Sequence, residues 1–189
     1  MADTGVKYPG TVATAASSPY DDNDWSNIGN ITADDTTYAT ITADTYDTGQ
    51  YTYVVKASNL SFNIPAGAQI DGILVETGSG ADAGELSKDV LVQLSKDNTN
   101  RVGDNKAKNE NLTPSIVNRT YGGAADLWGT TWTAAEVNAS TFAVHFAMRA
   151  VNDNSDIYLD YIRVTVYYSS TPASGESGLK LTLGLDILG

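Results

Sequence analysis

The chain has 189 residues, 23 acidic against 11 basic, a net charge of −12, no cysteine and one histidine. It has no disulfide, thiolate metal site or thiol nucleophile to draw on, and so acidic a balance argues against nucleic-acid binding, which rests on a basic footprint. This length suits one domain, which buries roughly 70% of its unfolded surface without help from a metal or a cross-link.

Residues 1–7 lack a basic-then-apolar pattern, so no secretory signal is expected. No run approaches the ~20 apolar residues that span a bilayer, and a soluble protein made in a cytoplasm is the expectation. Residues 1–35 are polar, with Trp25 the large anchor, and between residues 1 and 49 eight acids face Lys7 alone. Short strands are predicted at 37–42 and 50–57. Leu60-Ser-Phe-Asn-Ile64 alternates cleanly and stops at the turn Pro65-Ala-Gly-Ala68. Residues 70–76 resume as a strand, followed by a glycine-rich stretch, 77–84, that reads as a flexible loop.

A strand over 89–95 sets Val90, Val92 and Leu94 on one side. Residues 96–111 form a long polar loop carrying Lys96, Arg101, Lys106 and Lys108. A further strand is expected over 115–121. Thr133 followed by Glu136 is a capping box opening a short helix over 133–138. From 141 to 151, Phe142, Val144, Phe146, Met148 and Ala150 share one parity and Ala143, His145, Ala147 and Arg149 the other. In 157–168, Ile162, Val164 and Val166 share a face, whereas Ile157 and Leu159 fall on the opposite parity. A bulge near Asp160-Tyr161 is therefore expected. The polar break at 152–156, with Asp153, Asn154 and Asp156, suggests that these two strands pair as a hairpin.

Many short strands with turns between them predict an all-β fold, an antiparallel β-sandwich or jelly-roll-like domain over residues 1–168. Residues 169–178 are a linker by composition. In 179–189, Leu179, Leu181, Leu183, Leu185 and Ile187 alternate with polar or small residues. An amphipathic strand on a tether cannot bury its apolar edge alone, so it is expected to dock, as a further strand of its own sandwich or as an arm on another chain.

Several stretches in order are similar to a β-sandwich module of tailed-bacteriophage virion structural proteins. They are Asp24-Trp-Ser-Asn27, Phe62-Asn-Ile-Pro-Ala-Gly-Ala-Gln-Ile-Asp-Gly-Ile-Leu-Val75, Val92-Gln-Leu-Ser-Lys-Asp97, Val102-Gly-Asp-Asn-Lys106, Tyr121-Gly-Gly123, Asp126-Leu-Trp-Gly129 and Asp160-Tyr-Ile-Arg-Val-Thr-Val-Tyr-Tyr168. The resemblance spans about residues 20–168. It implies head decoration, head fibres or tail appendages, with no enzymatic activity and no catalytic residues.

Candidate sites are few. His145 lies mid-strand with no Gly-x-Ser-x-Gly elbow in the chain, so it reads as a surface or second-layer sheet residue rather than a catalytic base. Asp21, Asp22 and Asp24, with Asp34 and Asp35 after them, are weak calcium candidates that fail the EF-hand spacing; no metal or other cofactor is expected. Nothing in the spacing of the acids selects a glycosidase pair, and residues 78–84 lack the ending of a phosphate loop. Trp25, Trp128 and Trp132 are either an aromatic platform for a sugar or plugs at the end of the sandwich, and the plug is favoured for Trp128 and Trp132.

The functional expectation is a non-enzymatic phage virion protein, a capsid decoration, cement or head-fibre component. Its terminal strand would fasten it to copies of itself, as a homo-oligomer, or to the major capsid protein. The alternative is a tail-associated carbohydrate- or receptor-binding module that contacts a host glycan. Neither nucleic acid nor membrane is expected as a partner.

Overall fold

The computed structural model describes residues 1–42, 46–82, 86–152 and 156–170. In chain order the elements are β1 (Ala2–Asp3), β2 (Thr11–Ala15), a 3-10 turn (Ile28–Ile31), β3 (Ala39–Ile41), β4 (Val54–Ser58), β5 (Gln69–Ala81) and β6 (Ser87–Ser95). Then follow β7 (Arg101–Val102), β8 (Val117–Gly123), α1 (Ala134–Asn138), β9 (Ala143–Ala150) and β10 (Ile157–Ser169). The strands form two antiparallel sheets packed as a β-sandwich. The first runs β1-β10-β5-β8 with β3 also on β10, and the second runs β2-β4-β9-β6-β7.

The period-two faces predicted for 141–151 and 157–168 both line the core, with Phe142, Val144, Phe146, Met148, Ile162, Val164 and Val166 each fully buried. The two strands do not pair as a hairpin. β9 pairs with β4 and β6 in the second sheet, whereas β10 pairs with β5, β3 and β1 in the first. The two strands thus lie in different layers, and each presents its apolar face to the opposite sheet. The expected bulge is present, as a register shift between Leu159 and Tyr161 on β10. It lets Ile157 and Leu159 join Ile162 and Val164 in one core despite their opposed parity.

Two other expectations are corrected. Residues 60–64 bury Leu60, Phe62 and Ile64 as the alternation suggests, yet they form no strand. Asn59 and Ser61 sit at φ 56° and 52°, outside the extended region a ladder needs. Instead the Asn138 side chain holds Ile64, donating to its carbonyl at 2.8 Å and accepting from its amide at 3.0 Å.

The supposed loop beginning at Thr77 continues β5 to Ala81. Its glycines are there for close packing: a Cβ on Gly78 would lie 2.5 Å from Tyr161 Cε1, and one on Gly80 would lie 3.0 Å from the Ser115 backbone. The helix starts as predicted. The Thr133 hydroxyl accepts from the Glu136 amide, and the Glu136 carboxylate accepts from the Thr133 amide at 2.9 Å. β10 runs one residue past the predicted domain end, to Ser169, which pairs with Gln69. The arm residues Leu179, Leu181, Leu183, Leu185 and Ile187, like Asp153 and Asn154, lie outside the described residues.

Candidate functional site

Alternation along the strands of the second sheet divides its side chains between core and outer face. Val55, Ala57, Val92, Leu94, Val144 and Phe146 enter the core. Between them, register sets Ala13 opposite Lys56, Lys56 opposite His145, and His145 opposite Gln93, one row across β2, β4, β9 and β6. Beside this row Val54, Leu91 and Ala147 form a small apolar cluster of their own, with Tyr20 packed on it. Tyr20 meets Tyr51 edge to face with ring centres 5.6 Å apart, and the Arg101 and Arg149 guanidinium groups each lie 5.6 Å from one of those rings.

The loop after β6 rises as a wall over this face. Asp97 builds it, accepting from the Thr99 amide at 2.9 Å, the Asn100 amide at 2.7 Å, Asn100 Nδ2 at 2.8 Å and Ser95 Oγ at 3.1 Å. These bonds, the Asn100 amide first, hold the Asp97 carboxyl far below the usual carboxylate range. The turn delivers Arg101 opposite Ser95 on β6.

A cleft of about 450 Å³ lies between this wall and the strand opposite. Thr99, Asn100 and Arg101 line one side, Ala15, Ala16 and Ser17 the other, and Val54, Lys56 and His145 the floor. His145 is 1% exposed, and neither ring nitrogen has a partner of good hydrogen-bond geometry, although the Asn98 backbone lies close enough to act on the ring. The Asn98 carbonyl nearby accepts from Lys56 Nζ at 3.2 Å. Burial, reinforced by the charges of Lys56 and Arg101, pushes the imidazole down to about 4, so it is neutral near pH 7. A neutral imidazole offers one donor and one acceptor, both here buried beneath the floor of the cleft.

The tryptophans do not form a platform. Trp25, Trp128 and Trp132 are 6%, 0% and 7% exposed. Their indole N–H groups donate to the carbonyls of Tyr53 at 3.2 Å, Ile73 at 2.9 Å and Leu127 at 3.0 Å, as buried indoles require. Trp132 packs against Phe142 at 5.4 Å and under Lys96 at 5.2 Å, closing the sandwich end beside α1. Trp132 also lines a second cleft, of about 590 Å³, with Ile64, Ala68 and Asn138.

The clustered aspartates serve the backbone instead. Asp22 accepts from the Tyr51 amide at 2.7 Å and Asp24 from the Trp25 amide at 2.8 Å, while Asp21 is exposed. Among the described residues no group of three or more histidine or acidic side chains is placed to hold a metal. Of the cleft residues, His145 and Arg101 were singled out from the sequence, but not as neighbours. The outward parity of Lys56 was readable, whereas Tyr20 and Asn100 sit in stretches whose composition signals only polar loop.

No family model matches the chain, and no curated protein matches it. Among solved structures it is similar to the CBM22-1 xylan-binding domain of Paenibacillus barcinonensis Xyn10C, at 9% identity and TM-score 0.40 over 88% of each chain. A CBM4 structure is 13% identical at TM-score 0.38, over 85% of this chain and 93% of that one. The family 11 carbohydrate-binding module of the cellulosomal cellulase Lic26A-Cel5E of Clostridium thermocellum is 16% identical at TM-score 0.31, over 89% and 86%. At these scores the likeness assigns neither a ligand nor a residue role to this chain.

Proposed function

We propose that this chain is a non-enzymatic binding module that takes a saccharide in the cleft on the outer face of its second sheet. The observation that carries this is the make-up of the cleft. Ala15, Ala16 and Val54 give it an apolar side, while Ser17, Lys56, Thr99, Asn100 and Arg101 surround that side with hydrogen-bonding groups above the buried ring of His145. A pyranose ring presents the complementary pattern, a C–H face and a rim of hydroxyls, and sites of this kind combine apolar lining with a few placed polar groups. The lining holds no carboxylate, so the acid and base of glycoside hydrolysis are not at hand there. Titrating the full-length protein with neutral and acidic oligosaccharides, followed by amide and imidazole NMR shifts, tests the reading. Saturable shifts at His145 and Asn100, weakened by Asn100→Ala, are the expected result. Shifts confined to the cleft beside Trp132, or none at all, would sink it.

A second reading places the same module on a phage particle, as a head decoration or a tail appendage. The two long stretches of the phage resemblance, ending in Val75 and in Tyr168, lie side by side in β5 and β10, paired from Ile70 with Tyr168 to Val75 with Val164. Saccharide binding and display on a virion are compatible. Deleting residues 179–189 should leave the fold intact and abolish incorporation or oligomerisation, and unchanged assembly would remove the fastening role.

A further inference from the structure

Charge is distributed over this chain in a way that bears on its ligand, given the saccharide reading above. In a protein of net charge −12, several cations are tied to acids: Lys96 to Glu136, Lys106 to Asp104 and Asp126, Arg119 to Glu110, and Arg163 to Asp34 and Glu76. Lys56 and Arg101 are not. Among the described residues neither has a carboxylate oxygen within 4 Å, although both line the cleft. Lys56 donates to the Asn98 carbonyl, and Arg101 lies over the Tyr20 ring with its donors otherwise unclaimed. The nearest acid in the wall, Asp97, has both oxygens engaged by Ser95, Thr99 and Asn100. The lining of the cleft therefore carries two positive charges and no negative one, with Asp97 behind it close enough to act on the buried ring of His145.

The geometry points to an acidic saccharide as the ligand, one whose ring carries a carboxylate or a sulfate ester. The oxyanion would sit between Lys56 Nζ and the Arg101 guanidinium, whose planar fork matches a two-oxygen acceptor. The sugar ring would lie toward Ala15 and Ala16, above the floor that covers His145. A neutral glycan would fill the same volume but leave two desolvated cations without an anion, and unpaired partners of this kind reduce affinity.

The test uses the full chain labelled with ¹⁵N. Because His145 is the only histidine, its ring nitrogens report on the cleft alone. Hexasaccharides of xylose, of galacturonate and of sulfated galactose without uronate are titrated in parallel with inorganic phosphate. Galacturonate or the sulfated oligomer should bind about tenfold or more tighter than xylohexaose at low salt, the worth of one charge-assisted contact, and the gap should narrow at 1 M salt. Arg101→Gln should reduce acidic affinity far more than neutral affinity, with a dispersed spectrum showing that the variant folds. The stronger of the two acidic ligands tells carboxylate from sulfate. Equal binding of neutral and acidic oligomers would overturn the acidic assignment and leave the saccharide site standing. No saccharide response at His145 would overturn both, as would phosphate binding alone.

Discussion

The outer faces of the two sheets carry similar residues put to different use. On the first sheet, Arg163 donates to both Glu76 oxygens at 3.1 and 3.2 Å, to Asp34 at 3.2 Å and to Tyr8 at 3.3 Å, and lies 4.6 Å from the Tyr161 ring. Residues from the N-terminal 35 pack over that cluster and close it. On the second sheet, Arg101 and Arg149 lie over Tyr20 and Tyr51, but Lys56 stays open to a cleft with His145 buried beneath it. The same aromatic–guanidinium pairing thus serves as mortar where acids complete it and as a binding surface where they are missing.

Changes to the buried tryptophans should have the largest effect and separate plug from platform. Trp128→Ala removes a side chain with no exposure and should cost about 3–5 kcal/mol of stability, read from the urea midpoint at unchanged slope. Lost ligand affinity with unchanged stability would instead return Trp128 to the binding surface.

Next in size is an acid dependence seated on His145. Its folded value of about 4 lies below the ordinary 6.5, so the unfolded chain takes up a proton that the native protein refuses. The stability this supports is complete above pH 6.5 and declines as pH falls toward 4, by about 3 kcal/mol at the low end. His145→Gln should flatten that part of the stability–pH curve. An NMR titration giving His145 an ordinary value would dispose of the burial argument.

On the closed face, Arg163→Ala should cost about 1–2 kcal/mol, since it strips a partly buried carboxylate of its partner while solvent screening softens the loss. Burial pushes Glu76 up, but hydrogen bonds from Arg163 and Asn118 outweigh it and hold Glu76 below its usual value. Its contribution is present above its unfolded pKa and lost as pH falls through the folded one, so the variant should lose stability less steeply in acid. Saccharide affinity should not change, which a titration checks.

Much of the sandwich was legible because burial leaves a period of two: the faces of 141–151 and 157–168, the bulge at Tyr161 and the capped helix all follow from local pattern. The sheet assignment was not legible. A strand facing a core shows the same alternation whether its sequence neighbour pairs beside it or lies across from it, so alternation alone does not separate a hairpin from two strands in opposite layers. Gly78 and Gly80 misled for a related reason, since only the Tyr161 ring and the Ser115 backbone distinguish a packing glycine from a flexible one. The site escaped because it is assembled by register. His145, Lys56 and Gln93 are far apart in sequence, and Tyr20 comes from a segment whose composition shows only polar loop.

The smallest expected change in stability belongs to the open face, where Lys56→Gln should shift stability by no more than about 0.5 kcal/mol, as half-exposed substitutions away from ion pairs do. Lys56 gives up one bond to the Asn98 carbonyl, which a glutamine amide can replace. It also removes a like charge near His145, and since that charge helps depress the imidazole, the His145 value should rise modestly. Affinity for an acidic saccharide should nonetheless fall about tenfold. This pairing of small stability change with large binding loss is the reverse of the Arg163→Ala outcome. A Lys56→Gln variant that lost stability as Arg163→Ala does would mean that both faces are mortar and the cleft is only a seam between them.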